Sequence, residues 1–147
     1  MRELPRQLSG DELAELFEGR TRFVERLAEL EDPLARAREV ARTLSDEEKK
    51  EVLDAHPAIG ARAGLSARSA AEQGTNADPA ILSELAYLNQ VYEENFGFRF
   101  VVFVDRRPKA EILDVLRDRL GRSRDEELQT GVRELVAIAR DRWMRTT

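Results

Sequence analysis

Cysteine is absent from this sequence of 147 residues, and histidine occurs once. The absence of cysteine excludes disulfide bonds, thiolate metal sites and a cysteine nucleophile. With one histidine, a zinc site would need to consist almost entirely of carboxylates, and no clustered Asp, Asn and Gly calcium loop is visible. We therefore expect no bound metal ion.

The sequence also lacks an excess of positive charge and a long apolar run. Its 29 acidic and 24 basic side chains give a formal charge of −5, so no net positive field attracts nucleic acid or an anionic membrane. Signal-peptide, membrane-span and glycine-rich phosphate-loop patterns are missing as well. We expect a soluble, cytoplasmic protein that binds neither nucleic acid nor a membrane.

Helix signals recur along most of the chain. Apolar residues make up 41% and charged residues 36% of the sequence, a balance typical of a folded helical protein, and the length suits one domain spanning residues 1–147. Capping boxes at 9–12, 45–48 and 123–126 and Asp-Pro pairs at 32–33 and 78–79 predict helix starts. The pattern indicates an all-α domain.

One stretch, residues 98–104, has the composition of a strand. It reads Phe-Arg-Phe-Val-Val-Phe-Val, and β-branched and aromatic residues favour extended structure. Since one strand cannot make a sheet, the stretch is either a lone extended segment or a helix disguised by its composition, and we favour the extended segment. Its backbone groups then need partners, some of which a polar ring can supply.

Two local patterns could carry chemistry. His56 precedes Pro57 at a predicted helix end, where it is either a general acid or base or a structural residue beside free carbonyls. Ser69, Glu72 and Gln73 can hold the polar atoms of a flat heterocycle. However, Ser-x-x-Glu is also the capping-box pattern, so both interpretations stay open for this stretch.

Four arginines are candidates for pairing with a carboxylate through the guanidinium group. They are Arg106, Arg107, Arg140 and Arg142. Arg140 and Arg142 are two positions apart on a predicted helix, so they cannot both face one pocket. Spacing alone does not select one of the four.

Taken together, four blocks resemble the OHCU decarboxylase family, whose substrate is 2-oxo-4-hydroxy-4-carboxy-5-ureidoimidazoline. The blocks are H-P-A-I-G at 56–60, S-A-A-E-Q at 69–73, L-N-Q-V-Y-E-E-N-F-G-F-R-F-V-V-F-V at 88–104 and R-R-P-K-A-E-I-L at 106–113. The resemblance implies an all-α homodimer without a cofactor that decarboxylates this small molecule to (S)-allantoin, the third step from urate. We thus expect a single compact helical domain with one short extended segment near 98–104.

The resemblance also implies roles for particular residues. His56 matches the family's catalytic histidine, and we assign Glu72 a catalytic role beside it. Positions that contact substrate through side chain or backbone match the following residues: Pro57, Ser69, Glu72, Gln73, Phe100, Val101, Val102, Phe103, Val104 and Arg142.

We interpret these roles as follows. Glu72 and Gln73 orient the ureido and ring nitrogens, and His56 moves a proton. Arg142 contacts the ureido group or a carbonyl, or supports the pocket, because an arginine on the departing carboxylate would stabilise the reactant. Two alternatives remain open: a non-enzymatic helical module that binds a partner helix, and a lyase acting on a related ureido acid.

Overall fold

The computed structural model describes residues 3–58 and 78–145. In these two ranges it contains seven α-helices and no strand. The helices are α1 Gly10–Phe17, α2 Arg22–Ala28, α3 Pro33–Arg42, α4 Asp46–Asp54, α5 Pro79–Phe96, α6 Lys109–Leu120 and α7 Arg124–Arg145. The predicted all-α class is therefore confirmed.

Five of the seven described helices begin at the predicted capping boxes and Asp-Pro pairs. The hydroxyls of Ser9, Ser45 and Ser123 accept from the amide three residues later, and the glutamate at that position accepts from the serine amide in return. Asp78 caps α5 by accepting from the Ala80 amide at 2.8 Å. Each interaction satisfies an amide that the first helical turn leaves without a partner.

The helix start predicted from Asp32 and Pro33 is confirmed, but the Asp32 side chain does not cap the helix. Helix α3 does begin at Pro33, but Asp32 has a left-handed φ of 53° and its side chain makes no capping hydrogen bond. Proline at the first helical position has no N–H to satisfy and already has a helical φ. The proline, rather than the aspartate, accounts for this helix start.

Among the residues that the structure describes, the buried apolar side chains form one cluster. Helix α7 packs against α1, α3 and α4, while α5 packs against α6. Gly131 of α7 allows the close approach of α4, because a Cβ there would lie 3.0 Å from a methyl group of Leu53. The end of α4 is thus held firmly against α7.

The segment 98–104 is neither helix nor paired strand. Its apolar side chains enter the core, where Phe98 and Phe100 each pack edge-on against the ring of Tyr92 on α5. Edge-to-face ring pairs of this kind add to the stability that burial provides. Of the two predicted alternatives, a lone extended segment and a helix disguised by its composition, the helix is excluded, and the segment has no partner strand in the described residues.

Candidate active site

His56 follows the last turn of α4. Helix α4 ends at Asp54, and the His56 amide donates to the carbonyl of Leu53 at 3.1 Å. The next residue, Pro57, disfavours continuation of the helix because it restricts the backbone of the residue before it. The His56 side chain is only 8% exposed, and its buried Nδ1 atom has no hydrogen-bond partner in residues 3–58 and 78–145.

Burial and neighbouring charges lower the pKa of His56 from its ordinary value of 6.5 to about 4. Desolvation is the largest cause, followed by the positive charge of Arg142, whereas the carboxylate of Glu18 raises the pKa and Arg99 lowers it further. The imidazole is consequently neutral at pH 7. A neutral imidazole has one ring nitrogen that donates a hydrogen bond and one that can accept a proton.

Arg142 and Glu18 form an ion pair in the same region. Arg142 Nη1 lies 3.0 Å from a carboxylate oxygen of Glu18 and donates to the carbonyl of Leu16 at 3.1 Å. Glu18 follows helix α1 with a left-handed φ of 64°, and Arg142 lies near the end of α7. The packing of α1 on α7 therefore brings the two side chains together.

Arg99 links the segment 98–104 to the end of α4. Its amide donates to the carboxylate of Asp54 at 3.0 Å, and its Nη1 donates to the His56 carbonyl at 2.7 Å. An ion pair with Glu93 at 3.3 Å holds the guanidinium from the other side. These contacts fix the start of the segment beside the histidine.

Side chains anchor the carbonyls of the segment. Arg119 donates to the Val101 carbonyl at 2.7 Å, and Arg107 donates to the carbonyls of Phe103 and Val104. By contrast, the amides of Val101, Val102 and Val104 have no hydrogen-bond partner in the described part of the chain. Buried amides normally have one.

The predicted site residues fall into two groups. His56, Pro57, the five residues from Phe100 to Val104, and Arg142 lie in the described ranges. Arg142 acts on the charge state of His56, and Arg99 ties the segment to it. Ser69, Glu72 and Gln73 lie outside the described residues, so their roles stay predictions.

The other candidate arginines have local structural contacts. Arg107 binds carbonyls of the preceding segment, and Arg140 donates to the carbonyls of Leu34 and Ala35 on α3. Arg106 is exposed at a left-handed turn. Arg140 and Arg142 do face different neighbours, as their spacing predicts.

Sequence reasoning missed Glu18, Arg99, Arg119 and Glu127. A signal existed for the last two: Arg119 continues the buried spacing of Ile112 and Leu116 on α6, and Glu127 continues that of α7. A charge in register with an apolar face indicates a buried polar network. Glu18 carries no comparable pattern.

No cluster of three or more His, Asp or Glu side chains that could hold a metal ion occurs within 3–58 and 78–145. Over the same ranges, none of the helices combines the length and the apolar character needed to cross a membrane.

Comparison with known proteins matches residues 2–144 to the family model described as OHCU decarboxylase. A protein of Haloferax volcanii named 2-oxo-4-hydroxy-4-carboxy-5-ureidoimidazoline decarboxylase is 37% identical over 117 residues, covering 76% of this chain and 67% of that protein. One of the same name from Halalkalicoccus jeotgali is 32% identical over 99 residues, covering 65% of this chain and 56% of that protein.

Among solved structures, a crystal structure of OHCU decarboxylase in the presence of (S)-allantoin superposes with a TM-score of 0.74. The superposition covers 89% of this chain and 94% of that chain at 23% identity, so it bears on the fold. The family match extends over nearly the whole sequence. This chain belongs to the OHCU decarboxylase family.

Proposed function

We propose that this protein is a carboxy-lyase that converts 2-oxo-4-hydroxy-4-carboxy-5-ureidoimidazoline to (S)-allantoin and CO2, the third step from urate. The observation that carries the proposal is the state of His56. A neutral, buried imidazole, whose Nδ1 has no hydrogen-bond partner among the described residues, stands at the position of the family's catalytic histidine. A buried polar atom without a partner is costly to stability, and such groups concentrate at functional sites.

The proposed reaction balances as follows. The bond between C4 and the carboxylate breaks, and its electron pair forms C4=C5 while the C5=N electron pair moves to nitrogen, which takes a proton. The C4 hydroxyl then loses its proton to give C4=O, and the C4=C5 pair takes a proton at C5. The net reaction consumes one proton and releases CO2. Because the substrate's own C5=N bond accepts the electrons, the reaction needs no metal ion or cofactor.

His56 serves as the base in this proposal. It accepts the C4 hydroxyl proton and returns a proton to one face of C5, which gives a single enantiomer. The low pKa of the free imidazole leaves it unprotonated when substrate binds. General base catalysis needs this protonation state.

The remaining assignments follow the family positions. Ser69, Glu72 and Gln73 orient the ureido and ring nitrogens, Pro57 contacts the ring, and the backbone of residues 100–104 binds ring atoms. The amides of Val101, Val102 and Val104, which have no partner within residues 3–58 and 78–145, support the last assignment. They can donate to oxygen or nitrogen acceptors of the substrate.

Arg142 has a supporting role in this scheme. Its ion pair with Glu18 and its bond to the Leu16 carbonyl fix the guanidinium, and its charge favours the neutral form of His56. Such a role agrees with the argument that an arginine gripping the departing carboxylate would oppose its loss.

We further propose that residues 1–147 form one domain and that the protein acts as a cytoplasmic homodimer. The buried apolar side chains of the two described ranges form one cluster, which supports the first statement. Analytical ultracentrifugation tests the second: a species of twice the chain mass of 16.8 kDa supports the dimer, and a monomer at all concentrations contradicts it.

The activity test starts from urate. The unstable substrate is generated with the two upstream enzymes, this protein is added, and circular dichroism follows the product. Fast formation of one enantiomer of allantoin is the expected result. Slow, racemic formation equals the uncatalysed background and would reject the proposal, and a panel of related ureido acids then tests for a different lyase.

Replacement of Glu72 separates catalysis from capping. Glu72→Gln should lower kcat and raise KM if the carboxylate touches substrate. Lower melting temperature with unchanged kinetics would instead show a helix cap, since capping side chains act on stability alone. Glu126→Gln is the matched control because Glu126 forms a capping box with Ser123.

A further inference from the structure

Three buried side chains, Tyr92, Arg119 and Glu127, form a polar network, and the half-buried Arg122 lies at its edge. Glu127 of α7 is fully buried, and its Oε1 atom accepts from Arg119 Nε and from the Tyr92 hydroxyl, both at 2.7 Å. Arg122 Nη1 lies 3.3 Å from the other carboxylate oxygen. The network joins α5, α6 and α7 through one carboxylate.

The network also contacts the segment 98–104, which lies outside the helices. Arg119 Nη1 donates to the Val101 carbonyl at 2.7 Å, and the guanidinium carbon lies 4.5 Å from the ring centre of Phe100. The ring of Tyr92 packs against the same phenylalanine, with ring centres 5.1 Å apart. Two adjacent residues of the segment are therefore held by the network.

Such an arrangement has a more restricted geometry than a surface contact. Arg119 is 4% exposed and Glu127 0%, and a charge-assisted hydrogen bond in a poorly solvated site has a well-defined geometry. The rigid guanidinium lets one side chain contact the carboxylate, the carbonyl and the ring at once. A lysine has one nitrogen and cannot reproduce this set of contacts.

The position of the segment 98–104 depends on side-chain contacts of this kind. It has no partner strand among the described residues, so its position is set by side chains that bind its backbone rather than by a ladder of main-chain hydrogen bonds. A fixed backbone presents its amides at defined positions. A mobile backbone would lower both the affinity for substrate and the precision with which the substrate is oriented.

We infer that Arg119 and Glu127 are positioning residues, which hold the backbone at Phe100 and Val101 so that the neighbouring amides meet the substrate ring. This inference rests on the proposed function for its catalytic consequence. Its structural part, the control of the segment by the network, is independent of that activity.

Two variants test the inference. Arg119→Lys keeps the charge beside Glu127 but loses the guanidinium contacts with Val101 and Phe100. The triple variant Tyr92→Phe, Arg119→Met, Glu127→Leu replaces the network by apolar side chains of similar volume, an exchange that often preserves or raises stability. Arg140→Gln is the matched control, because Arg140 also donates to main-chain carbonyls, at α3.

The first measurement is amide hydrogen exchange of residues 98–104 in protein shown by melting to be folded. We expect exchange to speed up by about tenfold or more in both test variants and to stay at the wild-type rate in Arg140→Gln. Wild-type exchange rates in the test variants would overturn the inference. This readout decides the structural part even if the wild-type protein fails to decarboxylate the substrate.

The second measurement is the steady-state kinetics and the enantiomeric purity of the allantoin formed. We expect kcat/KM to fall by about tenfold to a hundredfold in the test variants and the enantiomeric excess to drop, because a displaced backbone no longer fixes the ring. Faster exchange with unchanged kinetics would overturn the catalytic consequence. A lower kcat/KM with unchanged amide exchange would show that the network does not act on catalysis by holding the segment 98–104, which would also overturn the inference.

Discussion

Arg142 and Glu18, which are 124 positions apart in the sequence, form an ion pair of 3.0 Å beside the histidine. The Arg142 side chain is 1% exposed and that of Glu18 13%. Their charges act on His56 in opposite directions: Arg142 lowers its pKa and Glu18 raises it. The pair therefore leaves the imidazole neutral without placing an uncompensated charge in the core.

Glu18→Gln should destabilise the fold. The change removes the negative partner of a buried arginine, and breaking a buried ion pair from one side costs roughly 3–5 kcal/mol. Because glutamine still accepts a hydrogen bond, we expect the free energy of unfolding to fall by about 3 kcal/mol. A lower urea midpoint at an unchanged slope measures this loss.

A matched control lies on the same helix as Arg142. Asp141 and Arg145 form an ion pair at 2.7 Å that is partly exposed, so Asp141→Asn should cost less than about 1 kcal/mol. Equal losses in the two variants would show that the Arg142 pair behaves as a surface pair.

The protein should become less stable as the pH is lowered, because His56 takes up a proton. The pKa of His56 is about 4 when folded and 6.5 ordinarily, so between these values the unfolded chain binds a proton that the folded protein does not. The contribution of the neutral imidazole to the free energy of unfolding is complete above pH 6.5 and is lost as the pH falls toward 4. The change amounts to at most about 3 kcal/mol. Urea unfolding at a series of pH values measures it.

His56→Gln isolates this contribution from that of the carboxylates. Glutamine does not titrate, so the difference between wild-type and variant stability should vary with pH only in the window from about 4 to 6.5. A difference that is constant across this window would mean that the imidazole titrates alike in both states, which contradicts its burial.

Replacement of His56 should also reduce turnover. His56→Asn removes the proposed base, and general acid–base catalysis contributes typically ~10² to 10⁴ in rate. We expect kcat to fall by that factor while the far-ultraviolet spectrum stays helical, measured with freshly generated substrate. Turnover within a few fold of wild type in the folded variant would remove His56 from the mechanism.

The sequence predicted the helix starts well because they depend on local interactions. Ser9, Ser45 and Ser123 each cap a helix through a residue three positions on, a relationship visible in the sequence alone. On α5, Ile81 and Leu88 continue the helical spacing of the buried Leu85 and Tyr92, but they are only half-buried. Asn89 and Phe96 are buried instead. Packing between helices, which is not local, decides which side of a face is covered.

The site was less accessible to sequence reasoning. His56 could be singled out by type, and the segment 98–104 by composition, but nothing in their spacing predicts that Arg99 connects them. Glu18 and Arg142 meet only because α1 packs on α7. Contacts between distant elements follow from the fold. The resemblance to a family assigned roles to His56 and Arg142, which spacing could not, but it gave none to Arg99 or Glu18.

Gly97 and Gly121 both follow a helix, but only Gly97 should resist replacement by alanine. Gly97 has a left-handed φ of 82° with open space where a Cβ would stand, while Gly121 has a φ of −85° and ordinary contacts. A Cβ at left-handed φ costs roughly 1–2 kcal/mol, so Gly97→Ala should lower stability by about 1 kcal/mol after the smaller entropy of the unfolded chain is counted. Gly121→Ala should leave stability equal or slightly higher. Thermal unfolding of both variants measures these changes. Equal losses of stability would show that the backbone at Gly97 is not held in the left-handed region. The start of the segment 98–104, which follows Gly97, would then not be fixed by this residue.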